Sequence, residues 1–412
     1  MKKPVHASQT QFATKDGCLQ IGGIALPRLA QRIGSSPFFA YDRDLLTARV
    51  QHLRQSLPKD IYLHYSIKAN PMPAVVQHMA GLVDGLDVAS AGELKCALDT
   101  STSPGNISFA GPGKTDAELS QALASGAMII LESEGELERL HQLAQRLTIQ
   151  AKVMIRVNPD FELKSSGMRM GGGAKQFGID AEQVPQVLQR IAALNIDCVD
   201  WFGFHIFSGS QSLKADAIME AQTKSIELAI ALAQHASKPL RHLNLGGGFG
   251  IPYFPGELPL DIAPIGVHLV SCMERIRSVF PDIRVALEFG RYLVGEAGIY
   301  VAKVIDRKLS RGKIFLVIDG GLNHHLAASG NFGQVIRKNY PVTTVNFSPS
   351  TIVETVSVVG PLCTPLDLIA DEMMLPQTQI GDYIVVFQSG AYGLSASPYD
   401  FLGHPKAIEV LV

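Results

Sequence analysis

The sequence predicts an α/β protein: a closed parallel (β/α)8 barrel joined to a C-terminal all-β domain. Two patterns predict it. From Ile61 onward, eight short apolar runs alternate with stretches of helical spacing. Beyond about residue 292 the runs become rich in β-branched and aromatic residues, with little helical material between them. The expected division places the barrel at 36–291 and the β domain at 1–35 and 292–412.

In chain order, Phe38–Tyr41 and Leu45–Leu57 read as a lead-in strand and helix. Barrel strands are expected at Ile61–Ile67, Leu86–Ala89, Ile107–Ala110, Met128–Leu131, Val153–Val157, Trp201–Ile206, Leu243–Leu245 and Val285–Phe289. Short apolar runs of this kind are what strands buried on both faces look like. Helical spacing appears at Glu93–Leu98, Asp116–Ala124, Glu134–Leu147, Ala181–Ala193, Ala215–Ala233 and Ile262–Val279. The second domain should contain strands at Tyr300–Ile305, Ile314–Ile318, Ile352–Val359, Tyr383–Phe387 and Ile408–Val412. Strand-like Cys18–Ile21 assigns the N-terminal stretch to the same domain. The cluster Gly171-Gly172-Gly173 reads as a loop rather than a phosphate cradle, because no strand leads into it.

Composition narrows the class. The 412 residues, 46% hydrophobic and 18% charged, suffice for a large core and two domains. A net charge of −2, with Lys and Arg scattered, argues against nucleic acid or a membrane surface as partner. The five cysteines are widely spaced and form no CxxC pair, so neither a disulfide framework nor a metal site is expected. No apolar segment follows the opening Met-Lys-Lys, and no run approaches the ~18 apolar residues of a membrane span. A cytoplasmic protein is expected.

In barrels of this kind chemistry gathers at the C-terminal ends of the strands. Lys68 ends the first, between its apolar run and the turn pair Asn70-Pro71. It is expected to be half desolvated, which favours the neutral amine that Schiff-base chemistry needs. Asp87 lies in the second strand and Arg156 at the end of the fifth. The sixth ends in Phe204-His205-Ile206-Phe207-Ser208-Gly209, and the seventh runs into Gly246-Gly247-Gly248-Phe249-Gly250. The eighth closes with Glu288-Phe289-Gly290-Arg291. Singly, each has an ordinary explanation: a snorkelling lysine, a satisfied core histidine, a glycine turn, a structural ion pair. Together on one rim they describe a phosphorylated aldehyde held by its lysine, which is pyridoxal 5′-phosphate. Glycine N–H groups and the Arg291 guanidinium suit the phosphate.

With these motifs in hand, the chain resembles the fold-type III pyridoxal-phosphate decarboxylases, the diaminopimelate, ornithine and arginine decarboxylase group, whose barrel is alanine-racemase-like. The likeness rests on Tyr65–Asn70, Asp87–Leu94, Phe204–Gly209, Gly246–Phe249, Glu288–Arg291, Gly360-Pro361-Leu362-Cys363 and Gly390-Ala391-Tyr392-Gly393. Within the group, Gly360–Asp367 and Phe401-Leu402-Gly403-His404-Pro405 look most like decarboxylases associated with exosortase A systems. The resemblance implies that Lys68 carries the cofactor as an imine and His205 stacks on its ring. It implies that Ser208, Gly246, Gly247, Gly248, Arg291 and Tyr392 bind the phosphate, and that Glu288 pairs with the ring nitrogen. Cys363 would reach the site from a partner subunit and protonate the carbanion, which implies a homodimer. Asp367 would line the substrate side.

Several positions depart from the group's pattern. Glu-Pro-Gly-Arg reads Glu288-Phe289-Gly290-Arg291 here, and an acidic residue expected after the cysteine is replaced by Thr364-Pro365. Ser-Lys-Phe-Gly becomes Lys175-Gln176-Phe177-Gly178. Where diaminopimelate decarboxylases carry Arg-Pro-x-x-Tyr, this chain runs from Asp319-Gly320-Gly321-Leu322 into Asn323-His324-His325. Lys175, Arg169 and His324 are candidate contacts for an acidic substrate tail. The substrate reading is therefore an amino acid or a derivative, free or carrier-bound, but not specifically diaminopimelate. Two rivals share the fold: a racemase, disfavoured by a glutamate rather than an arginine at the ring nitrogen, and a non-catalytic cofactor-binding homologue.

Overall fold

The structure, a computed structural model, describes residues 4–15, 17–161, 168–169, 171–194, 198–345 and 352–412. The chain divides into two compact units. One comprises Arg49–Gly250 and Leu260–Gly290; the other comprises Met1–Ala48, Ile251–Pro259 and Arg291–Val412.

The first unit is a closed barrel of eight parallel strands. They are β1 Tyr62–Ser66, β2 Gly85–Val88, β3 Ile107–Phe109, β4 Met128–Leu131, β5 Ala151–Asn158, β6 Val199–Ile206, β7 His242–Asn244 and β8 Arg284–Phe289. Neighbours follow chain order, β8 pairs with β1, and the ring closes through β4 and β5. All eight expected strands are present, with ends shifted by at most a few residues. The helices between them start where the sequence supplies caps. Thr115 and Glu118 form a reciprocal capping box for Asp116–Ser125, and Ser133 caps Glu134–Leu147. That helix buries Leu137, Leu140, Leu143 and Ala144, an i, i+3, i+6, i+7 stripe facing the barrel. A further helix, Pro73–Ala80, opens with proline at its first turn. The sequence reading missed it because Asn70-Pro71-x-Pro73 looks like a turn alone.

The second unit is a mixed sheet rather than a purely antiparallel one. Strand Gly298–Ser310 is its hub, pairing antiparallel with Lys313–Ile318, Tyr383–Val386 and Phe38–Tyr41. Parallel pairs join Lys313–Ile318 to Val353–Val359 and Ile408–Leu411 to Phe38–Tyr41. Phe38–Tyr41 is thus not a lead-in strand of the barrel. All four of its residues are buried, so an apolar run that looked like barrel entry is a central strand here. The segment 251–259 also belongs to this unit: Gly256 N–H donates to Val5 O and Gln388 Nε2 donates to Pro252 O. The N-terminal stretch contributes a small sheet containing Cys18–Ile21 and the helix Leu26–Ile33, and Phe12, Ile21, Leu26 and Leu29 pack with Phe38, Ile299 and Val385. Strands Val342–Val345 and Leu368–Pro376 were not expected. The second carries Asp371 and Glu372 at exposed positions and a proline at its end, which hide the strand pattern.

One buried histidine in this unit is locked in its neutral form. The Ala328 N–H donates to His325 Nδ1 at 3.3 Å, and His325 Nε2 donates to Ser389 Oγ at 2.9 Å. The Ser389 hydroxyl in turn donates to Val386 O at 2.8 Å. Burial pushes the His325 pKa down to about 3. Because the folded value is depressed, its contribution to stability is complete above about pH 6.5, shrinks as pH falls below that, and is lost through about 3. We expect acidification to about pH 4 to cost the wild type on the order of 3 kcal/mol more than His325→Gln. Urea unfolding at neutral and acid pH checks this; parallel pH profiles for the two proteins would contradict it.

Candidate active site

The C-terminal rim of the barrel is organised around Glu288 near the end of β8. Parallel register sets its neighbours: Glu288 pairs with His64 of β1, and His205 of β6 pairs with Asn244 of β7. Both residues of the second pair turn onto the carboxylate. His205 Nε2 donates to Glu288 Oε1 at 2.9 Å and Asn244 Nδ2 donates to the same oxygen at 2.7 Å. Oε1 is thereby filled, while Oε2 makes no hydrogen bond with a described residue. Burial by itself would push this carboxyl up. The charge and hydrogen bond of His205, with Lys68 and His64 nearby, reverse that and hold it well below the usual carboxylate range. The result is a largely buried carboxylate with one oxygen kept for a further donor.

Lys68 stands just beyond β1, in a single 3-10 turn formed by Ile67–Ala69. Asn70 closes that turn by donating to Ile67 O at 3.0 Å. Here the expectation of a half-desolvated lysine fails: its side chain is exposed, because the turn carries it past the strand end onto the rim. Beneath it, His64 Nδ1 meets Asp87 Oδ1 at 3.0 Å, and Ser108 also donates to Asp87. Burial lowers the His64 pKa, but Asp87's charge and hydrogen bond overcome it, so the net shift is upward. Asp87 is therefore the anchor of an interior network. Arg156 is held likewise, 2.9 Å from Glu132 and stacked 4.7 Å over the Phe177 ring.

The loops after β6 and β7 display unpaired hydrogen-bonding groups. The Ser208 hydroxyl and the Gly247 and Gly248 N–H groups have no hydrogen-bond partner among the described residues. Gly246 is tied by its N–H to Asn244 Oδ1 at 2.9 Å, so one asparagine fixes both the carboxylate and the glycine loop. Gly246 and Gly248 have φ of +65° and +80°, and a methyl at Gly247 would collide with the Glu288 carbonyl. His205 Nδ1 is buried and unpaired as well. An amine on the rim, a carboxylate with a vacant oxygen and a cradle of unused donors fit pyridoxal phosphate. The described residues would hold it through Lys68, Glu288, His205, Ser208 and the glycine N–H groups.

The remaining predicted site residues lie in the other unit. Arg291 Nη1 donates to Tyr253 OH at 2.9 Å, and its guanidinium lies 4.6 Å from the Tyr392 ring centroid. Tyr392 has φ of +53°, a left-handed backbone that a non-glycine residue adopts only at a cost. Cys363 is exposed. Asp367 has a different position from the one expected. It is 3% exposed, and its two oxygens accept from the backbone N–H groups of Leu322 (2.6 Å) and Leu362 (2.9 Å). Its carboxylate therefore pins the Cys363 loop to the segment at Leu322 instead of lining a substrate surface, and methyls at Gly321 or Gly360 would collide with it. His324 is also inward: Nε2 lies 2.9 Å from Pro405 O and Nδ1 3.4 Å from Tyr300 OH. Lys175 is half-buried, and the Arg169 side chain lies outside the described residues.

A closed parallel barrel with this rim defines a pyridoxal-phosphate enzyme of fold type III. Comparison with known proteins makes the assignment specific. The family model described as pyridoxal-dependent decarboxylase, pyridoxal binding domain, matches residues 43–295. The L-glutamyl-[BtrI acyl-carrier protein] decarboxylase of Niallia circulans is 38% identical over 381 residues, 91% of this chain and 88% of that protein. The diaminopimelate decarboxylase of Aquifex aeolicus is 32% identical over 406 residues, covering 97% and 91%. The crystal structure of Helicobacter pylori diaminopimelate decarboxylase complexed with L-lysine superposes with a TM-score of 0.84 at 25% identity, covering 94% of each chain. The chain belongs to the pyridoxal-dependent decarboxylase family, and it is a decarboxylase of an amino acid or amino-acid derivative.

Asn244 and Asp87 carry roles in this geometry that no motif assigned to them. Their signal was positional: each sits on an inward face of a barrel strand that should be apolar. Replacing Asn244 with alanine removes both the bond to Glu288 and the one to the glycine loop. We expect cofactor affinity to fall by about tenfold to a hundredfold, measured by titrating cofactor-free protein; unchanged affinity would remove Asn244 from the site.

Proposed function

We propose that this enzyme removes the α-carboxylate of an amino acid whose far end is linked through an amide, ester or thioester rather than left as a free charged group. The observation that carries the decarboxylase chemistry is the Glu288 carboxylate, ionised and presenting one unfilled oxygen. Bound pyridoxal phosphate supplies an electron sink for the pair left behind when carbon dioxide departs. Lys68 would provide the amine that attaches it. Glu288 Oε2 would accept from a protonated ring nitrogen, with His205 and Asn244 keeping the carboxylate oriented for that. Ser208 and the glycine N–H groups take the phosphate, with Arg291 and Tyr392 assigned to the same anion by family likeness. Cys363 returns a proton to the α-carbon from a partner subunit, which makes the working form a homodimer. A carboxylate held ionised at the ring nitrogen favours full electron withdrawal, and this supports decarboxylation over racemisation.

The substrate assignment rests on His324 among the cationic candidates, with His325 and Arg337 of the same unit. His324 and His325 are buried and hydrogen-bonded, with pKa values lowered by burial. The Arg337 guanidinium is occupied by Ser329 O, Asn339 Oδ1 and Leu368 O. The Arg-Pro-x-x-Tyr of diaminopimelate decarboxylases is absent. The Niallia circulans relative acts on a glutamyl group borne by an acyl-carrier protein, which supports the same reading. A cytoplasmic location is supported by five free cysteines, and no described helix is long and apolar enough to cross a membrane.

Carbon dioxide release from cofactor-loaded protein tests the assignment, using free L- and D-amino acids beside their side-chain amides and thioesters. Release from a linked derivative and silence from the free panel are expected; efficient release from a free amino acid would overturn it. Lys68→Ala should abolish the visible band of lysine-bound cofactor. Cys363→Ala should keep that band but slow turnover about a hundredfold or divert the product to abortive transamination. An unchanged rate and product would take Cys363 out of catalysis.

A further inference from the structure

Behind the glycine loop, Ser208 and Gly209 after β6 and Leu245 and Gly247 after β7 line a cavity with Ala221 and Gln222 of the helix Ala215–Ala233. Gln222 is out of place by helix periodicity. The buried face runs through Ala217, Ile218, Gln222, Ser225, Ile226 and Ala229, all small or aliphatic apart from Gln222, so a long polar side chain is out of pattern at its position. Instead a carboxamide sits there, 5% exposed, with Oε1 buried and unpaired and no hydrogen bond to any described residue. Buried amides are normally paired, because leaving one unpaired forfeits its hydration without return. A second unpaired group, Ser210 Oγ, is buried on the same loop. The cavity wall is shared with Ser208 and Gly247, whose donors are the ones left unused at the phosphate cradle.

We propose that Gln222 is a positioning residue for the cofactor's phosphate, donating an amide N–H into the cavity beneath the loops that carry Ser208 and Gly247. A half-turn of the carboxamide exchanges its oxygen and nitrogen, so the side chain can present a donor to a dianion without moving the helix. This explains a long polar side chain on a face otherwise made of small and aliphatic residues. It rests on the reading of the rim as a pyridoxal-phosphate site and adds a residue to it.

The test uses full-length protein freed of cofactor, as wild type, Gln222→Met and Gln222→Glu. Affinities for pyridoxal phosphate and for pyridoxal, which lacks the phosphate, are measured by absorbance titration, with the 31P shift of bound cofactor as a second readout. Gln222→Met should weaken pyridoxal phosphate binding about tenfold, leave pyridoxal unchanged and move the 31P signal. Gln222→Glu, nearly isosteric, should weaken the phosphate ester further by placing like charges together. Wild-type affinity for the phosphate ester in Gln222→Met, or equal losses for both compounds, would overturn the proposal while leaving the cofactor site intact. A wild type that does not prefer pyridoxal phosphate to pyridoxal would instead overturn the cofactor reading itself.

Discussion

A carboxylate kept ionised inside a barrel is the constraint on which the site depends. Glu288 is shielded from water, and burial alone favours its neutral form. His205 and Asn244 reverse this by filling Oε1, and the charges of Lys68 and His64 add to the effect. Because Oε1 is filled by two rigid strand residues, Oε2 has a fixed direction. An electron sink works best with its ring nitrogen protonated, and in the proposed site a carboxylate so held would keep the proton there. Asn244 extends the constraint to the glycine loop, since its carbonyl oxygen also ties down Gly246. The carboxylate and the glycine loop are thereby referenced to a single side chain.

The second unit applies the same economy to different residues. Asp367 accepts from two backbone N–H groups on separate segments and so fixes the start of the loop that exposes Cys363. Arg291 is oriented by the Tyr253 hydroxyl and the Tyr392 ring, and Tyr392 holds a left-handed backbone to be there. In each case a buried polar group positions an exposed or reactive one. Exposure at Cys363 and burial at Asp367 are two halves of one arrangement.

The barrel was legible because its strands are short apolar runs between capped helices, a pattern that tertiary context does not disguise. Lys68, His205, Glu288 and the glycine loop were legible as polar or glycine positions at the ends of apolar runs, and the structure places them at strand ends. Phe38–Tyr41 was misplaced because an apolar tetrapeptide says that it is buried, not which sheet buries it. Lys68 was expected half-buried because a strand-to-loop transition was assumed, whereas a 3-10 turn lifts it clear. Asp367 was placed on the substrate side by family resemblance; its bonds to Leu322 and Leu362 join segments far apart in the chain and have no local signature. Asn244 and Gln222 were passed over for the same reason, since only packing reveals a polar group on an apolar face.

The most direct test of the central claim is 15N NMR of ring-labelled pyridoxal phosphate bound to the protein. Glu288 holding the ring-nitrogen proton predicts a protonated nitrogen at neutral pH in the wild type and an unprotonated one in Glu288→Gln. An unprotonated nitrogen in the wild type, or the same signal in both proteins, would contradict the account.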